Sequence, residues 1–178
     1  MKRRFTLLLC SLLFAAGVNA ADPLGDAIKA YDSGNYAQAV ALLRPLADRG
    51  DSIAQLKLGM LYYYGYGVPE DEFVAVQWLQ RSAAQGNLDA MYQIGNVLTF
   101  AANTAKLTTD ADVDAVKWYF EAARAGHRDA QYALGLMFLA GKGVVQSQEE
   151  GIGWIQRAAA LGHREAQNFL GGQGTPHQ

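Results

Sequence analysis

The sequence predicts an all-α solenoid of stacked helix pairs, and three observations carry that prediction. An alanine-led block recurs as "AQLKLGMLYYYGYGV" from Ala54, "AMYQIGNVLTFAANT" from Ala90, "AQYALGLMFLAGKGV" from Ala130 and the fragment "AQNFLGG" from Ala166, so its leading alanines lie 36, 40 and 36 residues apart. A second block follows each full copy, "AVQWLQRSAAQGN" at Ala75, "AVKWYFEAARAGH" at Ala115 and "GIGWIQRAAALGH" at Gly151, and its tryptophans, Trp78, Trp118 and Trp154, keep the 40 and 36 spacing. Within both blocks the apolar residues recur at the helical period of about 3.6, and self-similarity at a fixed interval of roughly 20–50 residues marks a repeat architecture.

Residues 1–20 stand outside the repeats. Lys2, Arg3 and Arg4 precede an apolar run from Phe5 to Val18, and Val18-Asn19-Ala20 supplies small residues for cleavage, so the stretch reads as a secretory signal cut after Ala20. The run of about 14 residues falls short of the ~20 that a bilayer-spanning helix needs, and no comparable run follows, so no membrane span is expected. Cys10 lies early in the apolar run behind Leu9, where a lipidated cysteine would follow a small residue. Beyond Ala20 the 12 Lys and Arg face 17 Asp and Glu, a net charge of −5. Nucleic acid is therefore not an expected partner, because phosphate binding needs clustered basic side chains. Cys10 is the only cysteine, so an exported chain without it must be held together by packing rather than disulfides.

The repeat region reads as units of about 24–51, 52–87, 88–127 and 128–163, then a partial unit 164–171 and a disordered tail 172–178. The opening unit is degenerate: "AVALLRPLADRGD" from Ala39 has Leu42 at the tryptophan position, and Gly34-Asn35-Tyr36 makes its turn. In the second unit Ala54, Leu58, Leu61 and Tyr62 fall on one helical face. Gly65 ends that helix, because glycine enters the left-handed cap conformation without steric cost. Gly67, Val68 and Pro69 form the turn, and Asp71 is placed to cap a second helix whose face is Ala75, Trp78, Leu79 and Ala83, closed by Gly86. Two short helices cannot bury these faces alone, so units must stack, with Ala54, Gly59, Ala75 and Ala83 allowing close backbone approach and the tryptophans filling the space between units. Trp118, with a full unit on each side, is expected to matter more to stability than Trp154.

The pattern A-x-x-x-L-G-x-x-Y-x-x-G-x-G-V, followed by A-x-x-W and A-A-x-x-G, resembles the Sel-one-like repeat, a branch of the tetratricopeptide superfamily, over about residues 24–171. The resemblance implies a right-handed α/α superhelix that scaffolds protein assemblies, often in the bacterial periplasm, with no catalytic residues to carry over. It also implies narrower roles, such as an immunity or regulatory partner of an exported toxin or enzyme. A cell-wall-active hydrolase and a purely structural oligomer are the readings from other classes. The third unit departs from the pattern: "AANTAKLTTD", residues 101–110, replaces the glycine turn and holds four extra residues. A surface insertion accounts for it, and a partner-contacting loop is the functional alternative.

No catalytic, cofactor or metal site is expected. His127 and His163 occupy equivalent positions in successive units rather than clustering. Gly65-Tyr66-Gly67 and Gly141-Lys142-Gly143 are inter-helix turns rather than phosphate loops. Asp71-Glu72 and Glu149-Glu150 open second helices, where negative charge suits the helix dipole. Tyr62 is assigned to the core. On the opposite face of the first helices stand Leu56, Met60 and Tyr63, then Tyr92, Asn96 and Thr99, then Tyr132, Leu136 and Leu139, with Tyr64 and Tyr66 at the edge. Those nine positions are the expected wall of a concave groove for a protein or peptide partner, since aromatic and apolar surface of that extent suits a bound segment.

The mature protein from its native host should begin at Ala21 by mass spectrometry; retention of Cys10 with acyl chains would reject the soluble exported form.

Overall fold

The computed structural model describes residues 22–100, 107, 108 and 110–173. The signal sequence, most of the 101–110 insertion and residues 174–178 lie outside the described residues. Among the described residues there are nine α-helices and no strand: α1 (Pro23–Asp32), α2 (Tyr36–Asp48), α3 (Ser52–Tyr64), α4 (Glu72–Ala83), α5 (Leu88–Phe100), α6 (Ala111–Arg124), α7 (Arg128–Ala140), α8 (Gln148–Ala160) and α9 (Arg164–Gln173). They pack as consecutive pairs, α1 with α2 through α7 with α8, and each second helix also packs on the first helix of the next unit. This is the all-α solenoid of helix pairs. Helix α9 runs to Gln173, so Gly172 and Gln173 belong to a helix rather than to the expected tail.

Helix boundaries follow local chemistry. The side chains of Asp51, Asp71, Asp110 and Ser147 accept hydrogen bonds from the backbone N–H groups of Ala54, Val74, Val113 and Glu150, satisfying donors that a helix start leaves open. Gly65 (φ 68) and Gly141 (φ 66) end α3 and α7 in the left-handed conformation. The second glycine of each turn serves a different purpose. A Cβ on Gly67 would lie 2.6 Å from the Tyr36 carbonyl carbon, and one on Gly143 would collide with the backbone of Asp112 and Val113. Each glycine turn therefore rests on the first turn of the preceding unit's second helix.

The tightest packing lies one residue past each tryptophan. Leu43, Leu79, Tyr119 and Ile155 occupy equivalent positions and are all fully buried. In three units this residue enters a notch in the paired first helix: a Cβ on Gly59, Gly95 or Gly135 would lie 2.9, 2.5 and 2.6 Å from Leu79, Tyr119 and Ile155 respectively. Tyr119 carries the largest of these side chains, and its hydroxyl donates to Asn96 Oδ1 at 2.9 Å. Burial pushes the Tyr119 phenol well above its ordinary pKa. Gly171 stands in the same register on α9, but nothing approaches its Cβ position.

The tryptophans are not equivalent, and the expectation about Trp118 is reversed. Trp78 and Trp154 are buried, whereas Trp118 is only partly so. Three residues beyond Trp78 and Trp154 stand Arg81 and Arg157, whose guanidinium carbons lie 4.5 and 4.3 Å from the ring centroids. The corresponding residue beyond Trp118 is Glu121, which cannot form that cation–π lid. Trp154 also meets Phe120 of the preceding unit edge-on at 6.0 Å. In chemical denaturation Trp154→Ala should therefore lose about 3–5 kcal/mol, the cost of truncating a buried aromatic, and Trp118→Ala distinctly less.

Candidate functional site

The first helices share one side of the solenoid, and their placement is fixed by contacts to the preceding unit. Gln55, Gln131 and Gln167 each follow the leading alanine of a block. Their Nε2 atoms donate to the carbonyl oxygens of Ala47, Ala123 and Ala159 at 3.0, 3.1 and 3.0 Å. These acceptors lie near the ends of the preceding second helices, where each carbonyl also accepts a turn N–H, from Gly50, Gly126 and Gly162 respectively. In the middle block Met91 takes the glutamine position, so this tie is absent there.

The two histidines are helix caps. His127 Nδ1 accepts from the Ala130 N–H at 3.1 Å, and His163 Nδ1 accepts from the Ala166 N–H at 3.2 Å. An accepting Nδ1 leaves the ring proton on Nε2, which in His127 lies 2.9 Å from Asp89 Oδ1 of the preceding unit. The next pair repeats more loosely, with His163 Nε2 3.7 Å from Asp129 Oδ1. Each imidazole also faces a tyrosine of the preceding first helix, His127 on Tyr92 at 4.9 Å and His163 on Tyr132 at 4.5 Å. Among the described residues no group of three His, Cys, Asp or Glu side chains is placed to hold a metal ion.

A cavity of about 400 Å³ opens on the first-helix side. Its walls are Tyr31 of α1; Leu56, Lys57, Met60 and Tyr64 of α3; Asp89, Tyr92 and Gln93 of α5; and His127 and Asp129 at the start of α7. It therefore spans four successive units. Lys57 Nζ lies 4.2 Å from the Tyr31 ring centroid and 4.0 Å from Asp32 Oδ1. At the upstream rim Tyr64 stacks on Tyr66 at 5.4 Å, and Tyr66 stacks on Tyr36 at 4.6 Å, so the tyrosine strip docks onto the opening unit. Tyr64 and Tyr66 remain 50% and 44% exposed, which leaves ring faces available at that rim.

Of the nine residues expected to form the groove, Leu56, Met60 and Tyr92 line this cavity. Tyr132 repeats the Tyr92 position one unit further on, and Leu136 is exposed on α7. The other four do not line it. Leu139 packs against Gly151 of α8, where an added Cβ would lie 2.7 Å from its side chain. Thr99 donates to the Gly95 carbonyl at 2.8 Å, and Asn96 accepts from Tyr119. Tyr63 packs against the core, and burial followed by the neighbouring Tyr64 raises its pKa. Thr99 and Leu139 thus turn toward the paired second helix, and on α3 the cavity wall takes in Lys57 and Tyr64 beside the expected Leu56 and Met60. Tyr62, assigned to the core, is half-buried: it packs against the upstream core while its hydroxyl meets Arg44 Nη2 at 2.6 Å.

The Sel1 repeat family matches residues 25–51, 52–87, 88–127 and 128–163. The chain belongs to the Sel1 repeat family. Scaffolds of this repeat type are typical of protein–protein interaction and are generally non-enzymatic. In structure the chain is similar to c5321, a protective antigen present in uropathogenic Escherichia coli strains that displays an SLR fold, with a TM-score of 0.68, 32% identity, 78% of this chain covered and 29% of that one. It is similar to a Sel1 repeat protein from Oxalobacter formigenes with a TM-score of 0.67 and 30% identity, over 79% of this chain and 56% of that one. Helicobacter pylori cysteine rich protein B shares the fold with a TM-score of 0.53 and 20% identity, over 85% of this chain and 98% of that one. The Sel1 repeats here span less than a third of the first of these proteins and just over half of the second. No match was found among curated proteins.

Thermal melts distinguish the packed tyrosine of α3 from the exposed one beside it. Tyr63→Ala should destabilise the Sel1 stack by about 1–3 kcal/mol through lost packing, whereas Tyr64→Ala should leave the melting temperature nearly unchanged.

Proposed function

We propose that this protein is an exported, non-catalytic scaffold that holds a segment of another protein along the first-helix groove. The observation that carries this reading is the cavity running across four units with tyrosine rings from three of them, Tyr31, Tyr64 and Tyr92, on its walls. Aromatic side chains bring large contact area at low conformational cost and tend to dominate binding energy at interfaces. A solenoid groove of this kind suits an extended or helical segment better than a compact small molecule, because the wall repeats from unit to unit. Export to the periplasm or beyond is supported by the basic, apolar and small-residue sequence of residues 1–20. An immunity or regulatory role toward an exported toxin or enzyme is a narrower form of the same reading.

The test is capture from periplasmic extract with the purified protein and two variants. The wild type should retain a stoichiometric partner. Tyr64→Ala, in the groove rim, should weaken that retention about tenfold or more. Phe73→Ala, 53% exposed on the second helix α4, should bind as wild type. Equal capture by all three forms would move the contact surface off the groove.

A further inference from the structure

We infer that the segment held in this groove is basic, with an Arg or Lys side chain placed beside Asp89. The inference rests on the groove reading above and adds its chemistry. The charges on the cavity wall decide it. Lys57 is already engaged: its side chain is only 23% exposed, over the Tyr31 ring and within 4.0 Å of Asp32. Asp129 lies 3.2 Å from Arg128 Nε as well as near His163. Asp89 is different, with a side chain 70% exposed and the His127 imidazole 2.9 Å away. Because His127 Nδ1 is occupied in accepting the Ala130 N–H, the ring offers Asp89 its single Nε2 proton and no net positive charge.

The carboxylate of Asp89 is therefore hydrogen-bonded but not neutralised, and it borders the same cavity as the Tyr64 and Tyr92 rings. A cationic side chain entering there gains the carboxylate and an aromatic face together. An acidic segment would meet Asp89 with the cavity's lysine already paired. Beyond Ala20 the chain carries 12 basic against 17 acidic residues, and that net charge of −5 favours encounter with a cation in the same direction.

The experiment maps amide shifts of the isotope-labelled protein with two probes, a short alternating Arg-Ala peptide and its Glu-Ala counterpart. The Arg peptide should shift amides of α3 and α5, and its affinity should fall about tenfold or more when salt is raised about tenfold. Asp89→Asn keeps an acceptor for His127 and removes only the charge, so it should weaken the Arg peptide about tenfold. Glu121→Gln, exposed on α6, should not change it. Shifts on α3 and α5 from the Glu peptide alone would overturn the basic chemistry while leaving the groove in place. Arg-peptide shifts confined to second helices would overturn both. Silence from both peptides, or unchanged binding by Asp89→Asn, would also overturn the inference.

Discussion

The contact on which this solenoid depends is the meeting of a glycine on α3, α5 and α7 with a large side chain on the paired second helix. Gly59, Gly95 and Gly135 have no Cβ, and Leu79, Tyr119 and Ile155 take the vacated space. Close backbone approach is set by that pairing, and the other faces follow from helical geometry. The preceding residue on the second helix, a tryptophan in each case, then lies at the side of the pair, where Trp78 joins the core shared with α2 and Trp154 reaches Phe120 on α6. The residue after the glycine reaches the cavity wall in α3, as Met60, and turns to Tyr119 in α5, as Asn96. In these three units one steric constraint thus helps sort side chains into intra-unit core, inter-unit seam and open face.

Between units the ties are small, numerous and repeated. The glutamine amides reach back to carbonyls, the histidine caps reach back to Asp89 and Asp129, and the second turn glycines lie on the previous second helix. A single hydrogen bond of this kind contributes about 0.5–1.5 kcal/mol net. Their repetition matters more than their individual strength, because each sets the register of one unit on the last. The chain's single cysteine is Cys10, so no disulfide within the chain can set the register, which rests on hydrogen bonds and shape.

The repeat, its helix pairs and several caps were legible because they depend on residue types with strong local preferences: Gly65 at a left-handed position, Asp71 at a helix start, and alanines in phase with tryptophans. Shared helical face picked out positions 63, 99 and 139 for the open side, yet Tyr63 packs against the core, Thr99 bonds back to Gly95 and Leu139 meets α8, while polar Lys57 and Gln93 line the cavity. Partial signals for the missed features were present in the chain. "AQ" recurs at 54–55, 130–131 and 166–167, and histidine recurs at 127 and 163, each three residues before a block's alanine. What no local rule supplied was their partners, which lie in the preceding unit and become neighbours only after stacking. The differing cover over the tryptophans likewise turns on Glu121, a single change from arginine whose effect appears only when the ring beneath it is known.

Tyr119 gives the stack a built-in irregularity. Its neighbours in the same register are Leu79 and Ile155, so the central pair, α5 and α6, is wedged by a ring where the flanking pairs are spaced by aliphatic chains. In an array whose members touch mainly their neighbours, a small change in one joint is carried as a lever to both ends. The bulk at residue 119, bonded to Asn96 across the same pair, makes the central joint of the array unlike the joints on either side of it.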